Sequence, residues 1–336
     1  MPRLARLARL IVLVLLLTGC SADEPGAGSA EKDCRPSDGL TEAVRSADGS
    51  FLLVSGESWE LCSPRGERTA VGSAKPSADG EPRVEAVALD HGFLVTPEWG
   101  SYAVLGPDGS LSEPVDLLRD ELPVHPTEAG DRALVTPIGP EVALRPSTGE
   151  IFTPTLLARD DPDAYVPGVT PDAWGLDAAG RLWAQFGDEV RYADGERWRR
   201  AGPMPRRAGT AVGLSVVTAE HLVALTVDSN LGMATALHVR GLGAGGAWSD
   251  IPLPGLLAEA GEVLVVDERR VLVPLAEGPA VLDLTEGTLE PVEVPGQAPG
   301  ADPDAVWVAP GGLVSRDAGR LVWSADGGAT WEPAFH

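Results

Sequence analysis

Short runs of Val, Leu, Trp and Ala recur along this chain about every 8–12 positions, separated by Gly, Pro, Asp and Ser. Past the N-terminus, no segment holds an apolar stripe at a period of 3.6 residues. The pattern predicts many short strands and no long helix, the signature of an all-β sandwich, barrel or propeller. The 30 prolines and 40 glycines fit the same reading, since both punctuate turns and both weaken helices.

A long repeat separates these architectures. The final stretch reads Asp304-Ala-Val-Trp-Val-Ala-Pro, Gly312-Leu-Val-Ser-Arg-Asp, Arg320-Leu-Val-Trp-Ser-Ala-Asp and Thr330-Trp-Glu-Pro, four short strands joined by turns. The same unit runs over 172–201 and recurs more loosely over 41–73, 84–117, 126–157, 212–253 and 262–294. A turn before each fourth strand is expected near Gly66, Gly109, Gly149, Gly195, Gly246, Gly287 and Gly327, in steps of 40–51 residues. Four strands in about 40–45 residues make one propeller blade. The prediction is therefore an all-β, seven-bladed β-propeller of four-stranded antiparallel blades over 41–336. Six blades are the alternative, because the fifth unit is long and its turn reads Gly-Leu-Gly-Ala-Gly-Gly. The units look contiguous, so the ring should close without an exchanged strand.

The first residues depart from this pattern. Arg3, Arg6 and Arg9 precede an apolar run of about 8 residues, too short for the roughly 20 that span a bilayer. Leu17-Thr18-Gly19-Cys20 follows, with small residues at the point where a secretory signal is cut. This tetrapeptide resembles the lipobox of bacterial lipoproteins. The resemblance implies a signal peptide over 1–19, diacylglycerol on Cys20, and an exported protein anchored to the outer face of the cytoplasmic membrane. Residues 20–40 then form the lipidated start and a polar, flexible tether. Two further cysteines, Cys34 and Cys62, are an even number in an exported chain, which reads as one disulfide; two buried free thiols are the alternative.

One unit carries a motif. Ser324-Ala-Asp326-Gly-Gly328-Ala-Thr330-Trp331 matches Ser-x-Asp-x-Gly-x-Thr-Trp at every position, and Tyr192-Ala-Asp194-Gly195-Glu-Arg-Trp198 is a shortened echo. The chain here resembles the BNR (sialidase-type) Asp-box propellers. In that superfamily the box is a structural turn: the Asp accepts backbone N–H groups, the glycines allow positive φ, and the Trp packs into the blade.

Chemistry is harder to find. A sialidase would need an arginine triad, a Tyr nucleophile with a Glu partner, and an acid/base Asp. The tyrosines are Tyr102, Tyr165 and Tyr192, none in a matching context. A Gly-x-Ser-x-Gly elbow and a P-loop are absent. His91, His125, His221, His238 and His336 are scattered without metal-ligand spacing. The acids at 160–163 lack the glycine and distal Glu of a calcium loop. No catalytic residue, metal or cofactor is expected.

A net charge of −24 repels nucleic acid and anionic headgroups, so membrane contact should come from the lipid alone. Against this charge, Arg197, Arg199, Arg200, Arg206 and Arg207 crowd into eleven residues. They can cover a blade edge and pair with surface acids, or the Arg forks can hold a carboxylate or phosphate. In a propeller, Arg206, Arg207, Tyr165 and Trp99 would share one face, the candidate surface for a ligand or partner. The reading is a monomeric, lipid-anchored, non-catalytic binding or scaffold propeller for a protein or envelope polymer. The alternatives are a sialidase-like glycoside hydrolase acting on extracellular glycans and an assembly factor for a membrane complex.

Overall fold

The second strands of several repeats are among the most buried stretches of the chain, and the fold explains why. Phe51–Ser55, Leu182–Phe186 and Gly312–Asp317 are buried along most of their length. Each lies inside a four-stranded sheet whose two faces are covered by neighbouring sheets, which calls for a continuous apolar run. Outermost strands are more exposed, as in Arg68–Ser73, where half-buried and exposed residues alternate. In this computed structural model the described residues are 33–37, 39–74, 84–98, 100–134, 141–158, 171–205, 210–228, 233–242, 246–255, 263–296 and 306–335. Among them every regular element is a strand.

Twenty-eight strands form seven four-stranded sheets arranged in a ring. The protein is a seven-bladed β-propeller. Six sheets follow chain order from the inner to the outer strand, antiparallel throughout, and six of the seven expected glycines mark their last turn. The long fifth unit is one blade with unusually long strands, Thr210–Val217, His221–Asp228 and Met233–Gly241, so the count is not six.

Blade three departs from the expected order. Its inner strands are Arg132–Leu134, Val142–Arg145 and Glu150–Pro154, and its outer edge is Val124–His125, which precedes them and runs parallel to the third. After Pro154 a tight turn carries the chain off the sheet, with Leu157 N donating to Pro154 O at 2.8 Å. The vacant edge is filled from the other direction: Thr153 N donates to Pro123 O and Thr155 N to His125 O, both at 2.9 Å. Gly149 consequently lies between the second and third strands of this blade, not before its last.

The ring closes between blades one and seven without an exchanged strand. Ala43, Phe51 and Leu53 of blade one pack with Ala309, Val314, Leu321 and Trp323 of blade seven. Phe51 meets Phe335 edge-on at 5.1 Å, and Arg45 lies 4.5 Å over the Trp323 ring. Trp307 Nε1 donates to Thr41 O at 3.0 Å, and Arg316 Nη1 to Ser37 O at 2.8 Å. Cys34 and Cys62 are disulfide-bonded, with their Cα atoms 6.0 Å apart. The bridge, with Cys34 N donating to Gly66 O at 2.7 Å, fastens the lead-in chain across blade one beside the seam.

Candidate functional site: the central channel and the blade-four edge

The innermost strands enclose a channel of about 1110 Å³. Its walls include Val44, Val87, Trp174, Val216, Val265 and Val308. Leu264 and Val265 are 40% and 42% exposed, large aliphatic side chains left facing water. Arg132 is the one basic residue among the described lining residues.

Four of the lining acids are engaged in building turns and ion pairs. Asp131 pairs with Arg145 at 3.0 Å and accepts from Glu128 N at 2.8 Å. Asp177 accepts from Ala179 N, Arg181 N and Trp183 Nε1 at 2.9–3.0 Å. Asp267 accepts from Arg269 N and Arg270 N, and also pairs with the Arg270 guanidinium. Asp172 accepts from Gly187 N at 2.6 Å. Carboxylates held this way organise backbone and are poorly placed for proton transfer. Glu42, Glu141 and Glu268 complete the acidic lining.

The arginine-rich strand Arg197–Pro203 is the outer edge of blade four. Arg199 Nε donates to Asp194 Oδ2 at 3.0 Å, and Arg200 shares Glu189 with Arg191, at 2.9 and 3.2 Å. Surface pairing accounts for those two arginines. Trp198 packs edge-on against Phe186 at 5.3 Å, and Trp183 lies 5.2 Å from Tyr192. Blade five caps the same edge. Arg240 Nη2 donates to Ala201 O at 2.8 Å and Trp248 Nε1 to Pro203 O at 2.9 Å, so this strand offers fewer free acceptors to another chain. Arg240 is buried, and burial pushes its pKa down.

The 324–331 segment is a tied turn in the last hairpin of blade seven. Asp326 Oδ1 accepts from Thr330 N at 2.9 Å, and Oδ2 from Thr330 Oγ1 at 2.6 Å. Ser324 Oγ donates to Asp326 at 2.8 Å and accepts from Gly328 N at 2.7 Å. The hydrogen bonds from Thr330 hold the Asp326 carboxyl at a pKa of about 2. Gly327 and Gly328 take φ of 79° and 96°, which L side chains rarely adopt. Trp331 Nε1 donates to Glu293 O of blade six at 2.8 Å, so the turn also fastens two blades together.

Thr226, His238 and Asp250, which the sequence reading did not bring together, form a serine-hydrolase-like chain: Thr226 Oγ1 meets His238 Nε2 at 2.5 Å, and His238 Nδ1 meets Asp250 Oδ1 at 2.7 Å. Thr226 is fully buried and His238 only 3% exposed, so no substrate carbonyl reaches the hydroxyl. It acts as a clamp across three strands of blade five. Its one sequence signal is a polar residue interrupting two apolar runs, Leu-Val-Ala-Leu-Thr226-Val and Ala-Leu-His238-Val.

Of the residues expected to act, Cys20, Trp99, Tyr165, Arg206 and Arg207 lie outside the described residues, as does the acidic run 160–163. No group of three or more His, Cys, Asp or Glu able to hold a metal occurs among the described residues.

No family model matches the chain, and no curated protein does. Solved structures match it by shape. One is a catalytically inactive virginiamycin B lyase from Staphylococcus aureus with quinupristin, at TM-score 0.50 and 12% identity over 88% of this chain and 96% of that one. Another is the extracellular domain of the one-component system BT4673 from B. thetaiotaomicron, at TM-score 0.47 and 8% identity. That match covers 88% of this chain but 39% of the other, so the present chain spans about two fifths of its length. The Neurospora crassa Pan2 WD40 domain matches at TM-score 0.44 and 12% identity, over 90% of this chain and 92% of that one. At these identities the likeness shows the fold alone.

Proposed function

We propose that this chain is an exported, lipid-anchored propeller that binds a protein or envelope polymer without catalysing a reaction. The observation that carries the binding half is the channel. It is wide and aliphatic, and four of its acids are committed to turns and ion pairs. An enzyme of the sialidase class would bring several arginines to that lining, where Arg132 stands alone among the described residues. The anchoring half rests on Leu17-Thr18-Gly19-Cys20 and on the Cys34–Cys62 bridge, which belongs to oxidising compartments. On this reading the 324–331 turn is an Asp-box doing the structural work it does in BNR propellers. Arg206, Arg207, Tyr165 and Trp99 are, on the same reading, the residues that meet the partner.

Two measurements test this. Changing Cys20→Ala should move the protein from the detergent phase to the aqueous phase, and unchanged partitioning would remove the lipid anchor from the account. Photo-crosslinkers placed at Arg206 and Tyr165 in the full chain should each trap the same envelope component, which a crosslinker at Arg320 should not. Sugar release from sialylated or polymeric glycans by the purified protein would instead establish the hydrolase.

A further inference from the structure

We infer that the central channel receives an extended peptide segment in which aliphatic residues are flanked by Lys or Arg. The inference rests on the binding reading above and specifies the partner's chemistry. Four observations lead to it.

First, the channel, at about 1110 Å³ and lined from all seven blades, has room for a length of polymer. Second, its wall is aliphatic, and Leu264 and Val265 stand 40% and 42% exposed in a fold that buries most of its large side chains. An aliphatic partner would remove that surface from water.

Third, each innermost strand ends its sheet and so pairs with another strand on one side only. On the blade-five strand the neighbouring blade already occupies part of that side, and its contact shows what such an edge accepts. The Gln185 carboxamide accepts from Leu214 N at 2.6 Å and donates to Val212 O at 3.1 Å, an amide set against a strand edge. A peptide main chain carries the same paired donor and acceptor, and strand addition is a recurrent way to bind one. Fourth, charge selects the sign of the flanking residues. Asp131 and Asp267 are offset by Arg145 and Arg270, but Glu141, Asp172, Asp177 and Glu268 outnumber Arg132, the one arginine among the described lining residues. A cationic segment is attracted and an anionic one excluded.

The test uses fluorescently labelled peptides and the full exported chain, read by anisotropy. Lys-Leu-Val-Leu-Lys should bind about tenfold more tightly than Glu-Leu-Val-Leu-Glu and than Lys-Ser-Gly-Ser-Lys. In the channel, Val265→Arg should weaken binding about tenfold and Glu268→Gln about threefold, while Val71→Arg, on the 61%-exposed outer edge of blade one, should leave it unchanged. Circular dichroism checks that each variant is folded, and if Val265→Arg is not, Glu268→Gln decides alone. Equal binding of the two lysine peptides, or equal loss in Val71→Arg, would overturn the inference in favour of attraction to the acidic surface. Absence of peptide binding, with crosslinking at Arg206 retained, would remove the channel from the account and leave the binding function standing.

Discussion

At the scale of single residues, several aspartates of this protein serve as turn builders. Asp326 is the clearest: replacing it with Ala removes two acceptors for Thr330 and should cost about 1 kcal/mol, read as a lowered Tm. Its folded pKa, about 2, lies below the ordinary 3.8, so its contribution is fully present above pH 4. That contribution should fade as pH falls from about 4 to about 2, and the variant's acid unfolding curve should lack that part of the loss. Asp48 adds to the same limb: burial works to raise it, but hydrogen bonds from Ser46 and Ser50 outweigh burial and hold it low. Such turns were legible in the sequence because every partner lies within four residues. The Thr226–His238–Asp250 clamp was not, because its members meet only through the strand register, His238 opposite Asp250 and Ala224.

Among elements, legibility followed continuity. Six blades run in chain order, and a repeat of apolar runs and glycines describes them well. Blade three takes its outer strand from the segment ahead of it, an order that no local pattern marks. Its Gly149 was found by position and placed in the wrong turn, yet the residue is required there. At φ 75° a Cβ would stand 2.5 Å from Val104 Cγ2 of blade two. Gly195 has a similar φ of 62° but open space around it. Gly195→Ala should therefore cost the left-handed backbone term alone, about 1–2 kcal/mol, while Gly149→Ala should cost measurably more in a denaturant midpoint.

For the whole molecule, the seam between blades one and seven is where the ring closes on itself. Phe51 is fully buried there, and Phe51→Ala should cost about 3–5 kcal/mol by opening a cavity. Converting both Cys34 and Cys62 to Ser should cost about 3–4 kcal/mol in the chain-entropy account, seen as a fall in Tm that reductant reproduces in the parent protein. A net charge of −24 opposes compaction, so adding salt should raise Tm. The blade count followed from the repeat period; the channel did not. Its lining comes from seven separate stretches, and nothing in the sequence distinguishes an inward-facing Val265 from one packed between blades.

The Cys34–Cys62 bridge also sets how the ring answers tension. Load arriving along the N-terminal segment reaches Cys34 and passes through the sulfur bridge to Cys62, at the end of blade one's third strand. The first two strands, which hold the seam, lie inside the 28-residue covalent loop and carry none of it. In the oxidised protein the load enters at the end of an interior strand, Ser58–Cys62. In the reduced protein it enters first at Glu42–Arg45, an edge strand paired on one side only. The route by which a pull on the N-terminal side of Cys34 enters the ring is thereby set by the redox state of that one bond.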